Sequence, residues 1–423
     1  MSKTINHIHI IGVGGIGTSA LAQYYLAQGK VVSGSDVASS EITDFLKSKG
    51  VRIYIGHSPE NVRDAQLVIH SAAVSSGNEE YDAAKLDRIP TKLYAEAVGE
   101  ITEQYTTIAV SGSHGKSTTT AMVAKILIDA GLDPTVIVGT KMHELGGNNF
   151  RMGQGEYLVL EADDYNRHFH NYHPTISVVT NVDAEHLDIY QNLAGVKEAF
   201  VKFLEGTERG GTIIANGQDK NTIEVIKSTD LLKHQVVLFN ETDLAIHDLG
   251  VPGEHNQSNA EAAFWVAKTI GVNEDLIKRS LAGFRGSWRR LEEIQEGVYT
   301  DYAHHPTEIK ATLSALKQAN PTKKLICVFQ PHQRDRLNKL FLEFKNAFVS
   351  ADELYIIPLY TARGRDSDTG EDSESLAQKI TTPRAVFCKD FKQAFNKVEP
   401  MFKEGIVVFM GAGDIDDQLR SLI

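Results

Sequence analysis

The sequence predicts an α/β protein of three domains, each built on a mainly parallel sheet. Three observations carry this. A strand, turn, helix rhythm repeats along the whole chain, and its short apolar runs are rich in β-branched residues. The 423 residues divide into about three domains at ~150 residues each. Two glycine-bearing turns, at 12–17 and 112–117, each follow a strand and open a helix.

Composition narrows the function. A net charge of −12 and a pI near 5.7 speak against nucleic acid as a partner. Hydrophobic residues at 42% and charged residues at 23% suit a chain with a proper core and exclude disorder as its main state. No run approaches the ~18 apolar residues that span a bilayer. The first apolar run is broken by Gly12, Gly14 and Gly15, so no leader and no membrane are expected and a cytoplasmic enzyme is the default. Cys327 and Cys388 lie in apolar strand-like runs and read as buried, reduced thiols.

In the first domain, 1–103, strands are expected at 5–11, 31–33, 51–55 and 67–69, with a helix over 16–26 that ends near Gly29. The second, 104–286, holds strands at 107–110, 135–138, 157–161, 176–180 and 212–215. It closes at Gly283 and Gly286, where two glycines permit a hinge. The third, 287–423, holds strands at 298–301, 325–329, 353–357 and 406–410, and amphipathic helices at 308–317 and 336–348. The polar stretch 361–374 reads as an exposed loop.

Gly12, Gly14, Gly15, Ile16 and Gly17 fit G-x-G-x-x-G between a strand and a helix. Glycine lets a diphosphate approach the backbone, and the helix start supplies N–H groups. Asp36 ends the next strand, where a carboxylate meets a ribose hydroxyl; a dinucleotide and a UDP-sugar both fit. The second turn, Gly112, Ser113, His114, Gly115, Lys116 and Ser117 before Thr118, resembles a phosphate loop, with Val110 where its first glycine belongs. Lys116 there reaches β- and γ-phosphates and Ser117 offers a hydroxyl to Mg²⁺. Glu161, at a strand end, is placed to hold the metal, while Asp163 and Asp164 also read as a solvated acidic turn. His186 follows another strand and is a candidate for metal or phosphate. His168, His170 and His173 read as surface or packing residues, since no cysteine or second cluster completes a zinc set. Asn256 and Asn259 share a helix face and suit a purine or a cap. The segment 301–308 gathers more polar groups at a strand end than capping requires.

In this order the motifs resemble the Mur ligases, the ATP-dependent amide-forming enzymes of peptidoglycan synthesis. The matching stretches are IIGVGGIGTSALA at 10–22, GSD at 34–36, SGSHGKSTTT at 111–120, LEAD at 160–163, TNVDAEHLDIY at 180–190, GEHNQSNA at 253–260, RRLE at 289–292, DYAHHPTEI at 301–309, FQPH at 329–332 and GAGDI at 411–415. The resemblance implies a Rossmann-like UDP-sugar domain, a central phosphate-loop ATPase domain and a Rossmann-like C-terminal domain that takes the amino acid. It implies UDP-N-acetylmuramate, ATP and L-alanine as substrates, Mg²⁺ or Mn²⁺ as the metal, and a monomer or weak homodimer. It assigns Gly12, Gly14, Gly15, Ile16, Gly17, Asp36 and Ser71 to the UDP-sugar. ATP falls to Gly112, Ser113, His114, Gly115, Lys116, Ser117, Thr118, Asn256, Asn259, Arg290 and Asp301. The metals fall to Ser117, Glu161 and His186, the catalytic set is Lys116, Glu161 and His186, and the incoming amino acid meets His304, His305 and Arg336.

The chain departs from the family pattern in four ways. Ser113 and Ser117 replace threonine, Leu291 replaces an aromatic residue, and Gln333 stands where arginine follows FQPH, with Arg334 one place on. An NAD-dependent oxidoreductase explains the first turn but not the Lys116 loop. A phosphate-loop switch or motor ATPase explains the second turn but not the first domain. A ligase that adds a whole peptide is the nearest rival within the family.

Overall fold

The computed structural model describes residues 5–240, 249–361 and 369–423. Three sheets are present. The first holds β1 (His7–Ile11), β2 (Val31–Asp36), β3 (Arg52–Ile55), β4 (Leu67–His70) and β5 (Thr91–Leu93), all parallel, in the order β3-β2-β1-β4-β5. The second holds β6 (Thr106–Ser111), β7 (Thr135–Met142), β8 (Asn148–Arg151), β9 (Tyr157–Glu161), β10 (Ile176–Val179), β11 (Thr212–Asn216) and β12 (Gln235–Phe239), ordered β12-β11-β10-β6-β9-β7-β8. Only β8 runs antiparallel to its neighbour. The third holds β13 (Glu292–Gln295), β14 (Val298–Asp301), β15 (Leu325–Phe329), β16 (Glu353–Ile356), β17 (Ala385–Phe387) and β18 (Ile406–Met410), ordered β13-β14-β18-β15-β16-β17, with β13 antiparallel.

The central strands are apolar because helices cover both of their faces. β10, β15 and β18 are buried at every residue. In the third sheet one face packs Phe329, Phe344 and Phe348 and the other packs Phe391, Phe395 and Phe409. Both cysteines are buried and free, and burial pushes the Cys327 thiol pKa up.

By its contacts the chain divides into two units: Met1–His247 with Ser258–Phe284, and Asp248–Gln257 with Arg285–Ile423. One division falls between Phe284 and Arg285, inside the glycine pair 283–286. In the first unit the helix Ile16–Ala27 rests against the β7–β8 hairpin. Asn149 Nδ2 donates to Ile16 O at 2.6 Å, and Gln23 exchanges amide hydrogen bonds with Asn148 and donates to Asn149 Oδ1.

Three expectations change. The helix expected at 336–348 is two short ones, Arg334–Lys339 and Phe341–Lys345. The chain leaves helical geometry at Leu340 (φ −115°, ψ 25°), where Leu340 and Phe341 both turn to the core. The loop expected over 361–374 gives way to the helix Ser373–Lys379, capped by Asp372; 362–368 lie outside the described residues. Asp164 is fully buried rather than part of a solvated turn.

Candidate active site

In open α/β sheets ligands gather beyond the carboxyl ends of the strands, where the strand order reverses. β1 sits between β2 and β4, and β6 between β10 and β9. Both glycine-bearing turns follow these reversal strands.

The first turn is shaped by its neighbours. Gly12 has φ +78°, and a side chain there would come within 2.9 Å of Ser71 Oγ. A side chain on Gly14 would come within 2.8 Å of Asp36 Oδ2, and one on Gly17 within 2.8 Å of the Tyr94 hydroxyl. Asp36 ends β2 and accepts from the Gly14 N–H at 2.9 Å and the Val37 N–H at 2.8 Å. Its carboxylate therefore pins the loop. The Ser35 carbonyl takes the N–H groups of Gly12 and Val13 at 2.8 and 3.0 Å. Gly15 caps the helix that begins at Ile16, with no side chain on its first N–H groups, which leaves them for an anion.

Sequence reasoning missed what lies beneath. Glu80 is fully buried. It accepts from Ser35, Asn61 and His57 Nδ1 (3.2 Å), and His9 Nε2 stands 3.5 Å away. Burial opposes its charge, but His9, Ser35 and Asn61 outweigh that and hold its pKa at about 2. Three polar residues on two neighbouring strands, His9, Ser33 and Ser35, were the available signal, since a strand buried on both faces is normally apolar.

The second turn is clamped from β10. Gly112 and Gly115 have φ +143° and +82°, and side chains there would strike Thr180 and Asn259. Thr180 donates to His114 O at 2.5 Å, and Asn181 Oδ1 accepts the His114 N–H at 2.9 Å. Ser113 Oγ accepts the Asp183 N–H at 2.7 Å, and His114 Nε2 lies 3.1 Å from Asp183. Thr119 Oγ1 donates to Asn259 Oδ1 at 3.2 Å, and Thr118 is buried in the first turn of the helix Lys116–Asp129. Ser117 donates to Glu161 Oε1 at 3.0 Å, and Glu161 Oε2 takes the Gly139 N–H at 2.7 Å. Burial pushes the Glu161 carboxyl up, against the pull of Gly139, Lys116 and Ser117. Lys116 Nζ reaches Gly112 O (2.6 Å), Ser113 O (3.2 Å) and Asp164 Oδ1 (2.9 Å). Burial works against its charge, but Asp164, Asp163 and Glu161 more than offset this and raise its pKa.

His186 adopts φ 52° and groups with Asp163 and Asp164, one ligand atom of each lying within 4.8 Å of the others. Burial disfavours charge on Asp163, yet His168 and Lys116 hold its carboxyl below the usual range. His168 is thus part of this cluster. His170 bonds the Ala199 carbonyl at 2.9 Å and stacks on Phe169, and His173 is exposed beside Glu103. The hydroxyl of Ser117 and the carboxylate of Glu161 are hard oxygen donors that fit Mg²⁺.

The second unit places its residues at adjoining strand ends. Asp301 ends β14 and accepts from Leu291 N (2.7 Å) and Ala303 N (2.8 Å). Burial lifts its pKa to about 6, against Arg290 and those N–H groups. The paired arginines part company. Both lie over the Tyr302 ring, at 4.9 and 5.1 Å, but Arg289 is buried on the Gly411 and Gly413 carbonyls, whereas Arg290 stands 3.6 Å from Glu308. Asn256 Nδ2 donates to Pro252 O at 2.8 Å, and burial holds the neighbouring His255 at a pKa of about 4. His304 bonds Tyr302 O at 2.9 Å and meets His332, which stacks on Tyr360. His305 caps the helix Pro306–Ala319. Arg334 Nη1 donates to Glu371 O at 3.2 Å, and Arg336 lies in the same short helix, Arg334–Lys339.

A lysine-bearing phosphate loop beside a carboxylate, with a separate glycine loop on its own parallel sheet, defines a nucleotide-dependent α/β enzyme. The comparisons make this specific. The Mur ligase family catalytic domain matches residues 7–106, the Mur ligase middle domain 110–249 and the Mur ligase glutamate ligase domain 289–413. The chain belongs to the Mur ligase family. It is 40% identical to the UDP-N-acetylmuramate–L-alanine ligase of Aquifex aeolicus over 98% of this chain and 96% of that one. It is 38% identical to that of Acetivibrio thermocellus over 97% and 94%. The solved UDP-N-acetylmuramate–alanine ligase of Thermotoga maritima superposes with a TM-score of 0.80 at 28% identity, covering 98% of this chain and 97% of that one. A murein peptide ligase from Psychrobacter arcticus, 21% identical with a TM-score of 0.71 over 98% of each chain, shares the fold.

Proposed function

We propose that the chain joins L-alanine to the lactyl carboxylate of UDP-N-acetylmuramate, with ATP converted to ADP and phosphate. The observation that carries this reading is the convergence of Lys116, Ser117 and Glu161 at the ends of β6 and β9, in a chain 40% identical to such ligases along its length. A carboxylate is a poor electrophile and forms no amide with an amine in water. Its oxygen attacks the γ-phosphorus, ADP leaves, and an acyl phosphate results. The amine then attacks the acyl carbon, loses a proton, and expels phosphate.

The residues divide this work. The N–H groups that open the helix after the 12–17 turn, at Ile16 and Gly17, hold the UDP-sugar diphosphate, and the glycines of the turn leave room for it. Lys116 steadies charge on the transferred phosphoryl group, and the loop N–H groups cradle the remaining phosphate oxygens. Ser117 and Glu161 would hold Mg²⁺, with His186 at a second ion; the metal supplies charge neutralisation on the phosphates. The family pattern further assigns Asn256, Asn259, Arg290 and Asp301 to ATP, and His304, His305 and Arg336 to the amino acid. Among the described residues no helix is long and apolar enough to cross a membrane. Incubation with UDP-N-acetylmuramate, ATP and Mg²⁺ across a panel of amino acids, read by phosphate release and product mass, tests the assignment. L-Alanine gives the largest kcat/KM; preference for a whole peptide moves the chain to the rival activity.

A further inference from the structure

Asp164 has a place in the site that the motifs do not explain. It is fully buried, and its Oδ1 lies 2.9 Å from Lys116 Nζ while its Oδ2 has no partner. Its backbone is fastened on both sides: the Asp164 carbonyl accepts the Arg167 N–H at 3.1 Å and the Tyr190 hydroxyl. Asn166 and Arg167 both take left-handed backbone, φ 51° and 58°, a conformation that side-chain-bearing residues adopt at a cost. The turn is therefore held in a shape that keeps this carboxylate on the lysine.

We propose that Asp164 is a positioning residue that holds Lys116 in place of a phosphate and competes with the nucleotide for it. The inference rests on the reading of the Lys116 loop as the ATP site. Lys116 Nζ already has two carbonyl partners, Gly112 O and Ser113 O, so one direction of its donor set remains, and Asp164 occupies it. An arriving nucleotide takes over that direction and takes the ammonium from a buried carboxylate, which keeps His186 Nε2 as a neighbour at 3.9 Å. Such a charge is unfavourable, so Asp164 pulls the lysine back as ADP departs. Two linked effects follow. The carboxylate weakens nucleotide binding and speeds product release.

The test is Asp164→Asn, titrated with Mg-ADP and with UDP-N-acetylmuramate and assayed for turnover. Mg-ADP binding tightens about tenfold, the size of one charge-assisted hydrogen bond. UDP-N-acetylmuramate binding is unchanged, kcat falls, and phosphate appears as a burst followed by a slow phase limited by ADP release. A merely structural residue would weaken ADP binding and give no burst; either that result or unchanged ADP affinity overturns the proposal. Lys116→Met separates the two layers. If it leaves ADP affinity intact, the ATP-site reading itself fails; if it weakens ADP while Asp164→Asn does not tighten it, only the competition fails. A variant that does not fold leaves the wild-type complex with Mg-ADP to decide. There Lys116 Nζ lies beyond ion-pair range of Asp164, and a complex that keeps the 2.9 Å contact contradicts the exchange.

Discussion

The turns after β1 and β6 answer the same electrostatic problem with different means. Both follow the strand at which the sheet order reverses, both open a helix, and both have a carboxylate close by. In the first turn that carboxylate, Asp36, bonds backbone N–H groups and shapes the loop. In the second, Asp164 bonds the lysine itself. The first turn carries no cation and works through peptide dipoles and the room its glycines leave. The second adds a fixed charge. Dipoles suffice to bind a diphosphate that does not react, whereas a phosphoryl group that gathers charge as it transfers gains from a positioned ammonium.

This contrast predicts unequal sensitivities. Lys116→Ala has the largest effect: kcat falls about 10²–10³-fold or more, with UDP-N-acetylmuramate affinity unchanged. Near-normal turnover would dissolve the distinction between the loops. Arg336→Ala extends the fixed-charge logic to the amino acid. Its L-alanine KM rises about 10–150-fold, the size of a charge-assisted bidentate contact, with little change for ATP. A shift below about twofold marks Arg336 as a surface pairing residue, and a large effect at Arg334→Ala instead moves the register by two.

The support under the first turn is testable by pH. Glu80 is held at about 2 from an ordinary 4.5, so its stabilisation is present above pH 4.5 and is lost as pH falls through 2. It is worth about 3 kcal/mol. The Tm gap between wild type and Glu80→Gln is full at pH 7 and shrinks toward pH 2; a gap that does not narrow with acid removes the charged network from the account. The smallest effect is at Gly14→Val. A Cβ there displaces Asp36 and costs about tenfold in UDP-N-acetylmuramate affinity, one or two backbone hydrogen bonds, while ATP affinity is spared.

Legibility followed burial. Central strands such as β9, β15 and β18 could be read to the residue, because helices on both faces demand apolar runs. β5, β8 and β13 carry no such run, and the short runs at 236–239 in β12 and 385–388 around β17 were not placed as strands; all five are sheet edges, only partly buried along their length. The residue types at the site were visible in Gly12, Lys116, Ser117, Glu161 and His186, since glycine, lysine and acid at strand ends have few other uses. Their partners were not. Asp164 looked like a surface acid because sequence does not reveal that the turn after it folds back. Glu80 lies 45 residues from Ser35, a separation across which no periodicity signals contact. The segment 248–257 groups with the third sheet's unit although the chain order places it in the second domain.

The most direct measurement is a crossed calorimetric titration of Gly14→Val and Lys116→Ala with UDP-N-acetylmuramate and with Mg-ADP. Gly14→Val loses affinity for the UDP-sugar and keeps it for Mg-ADP, and Lys116→Ala does the reverse. If the losses are exchanged, or each variant loses both ligands alike, the two turns do not serve two separate nucleotides and the account is wrong.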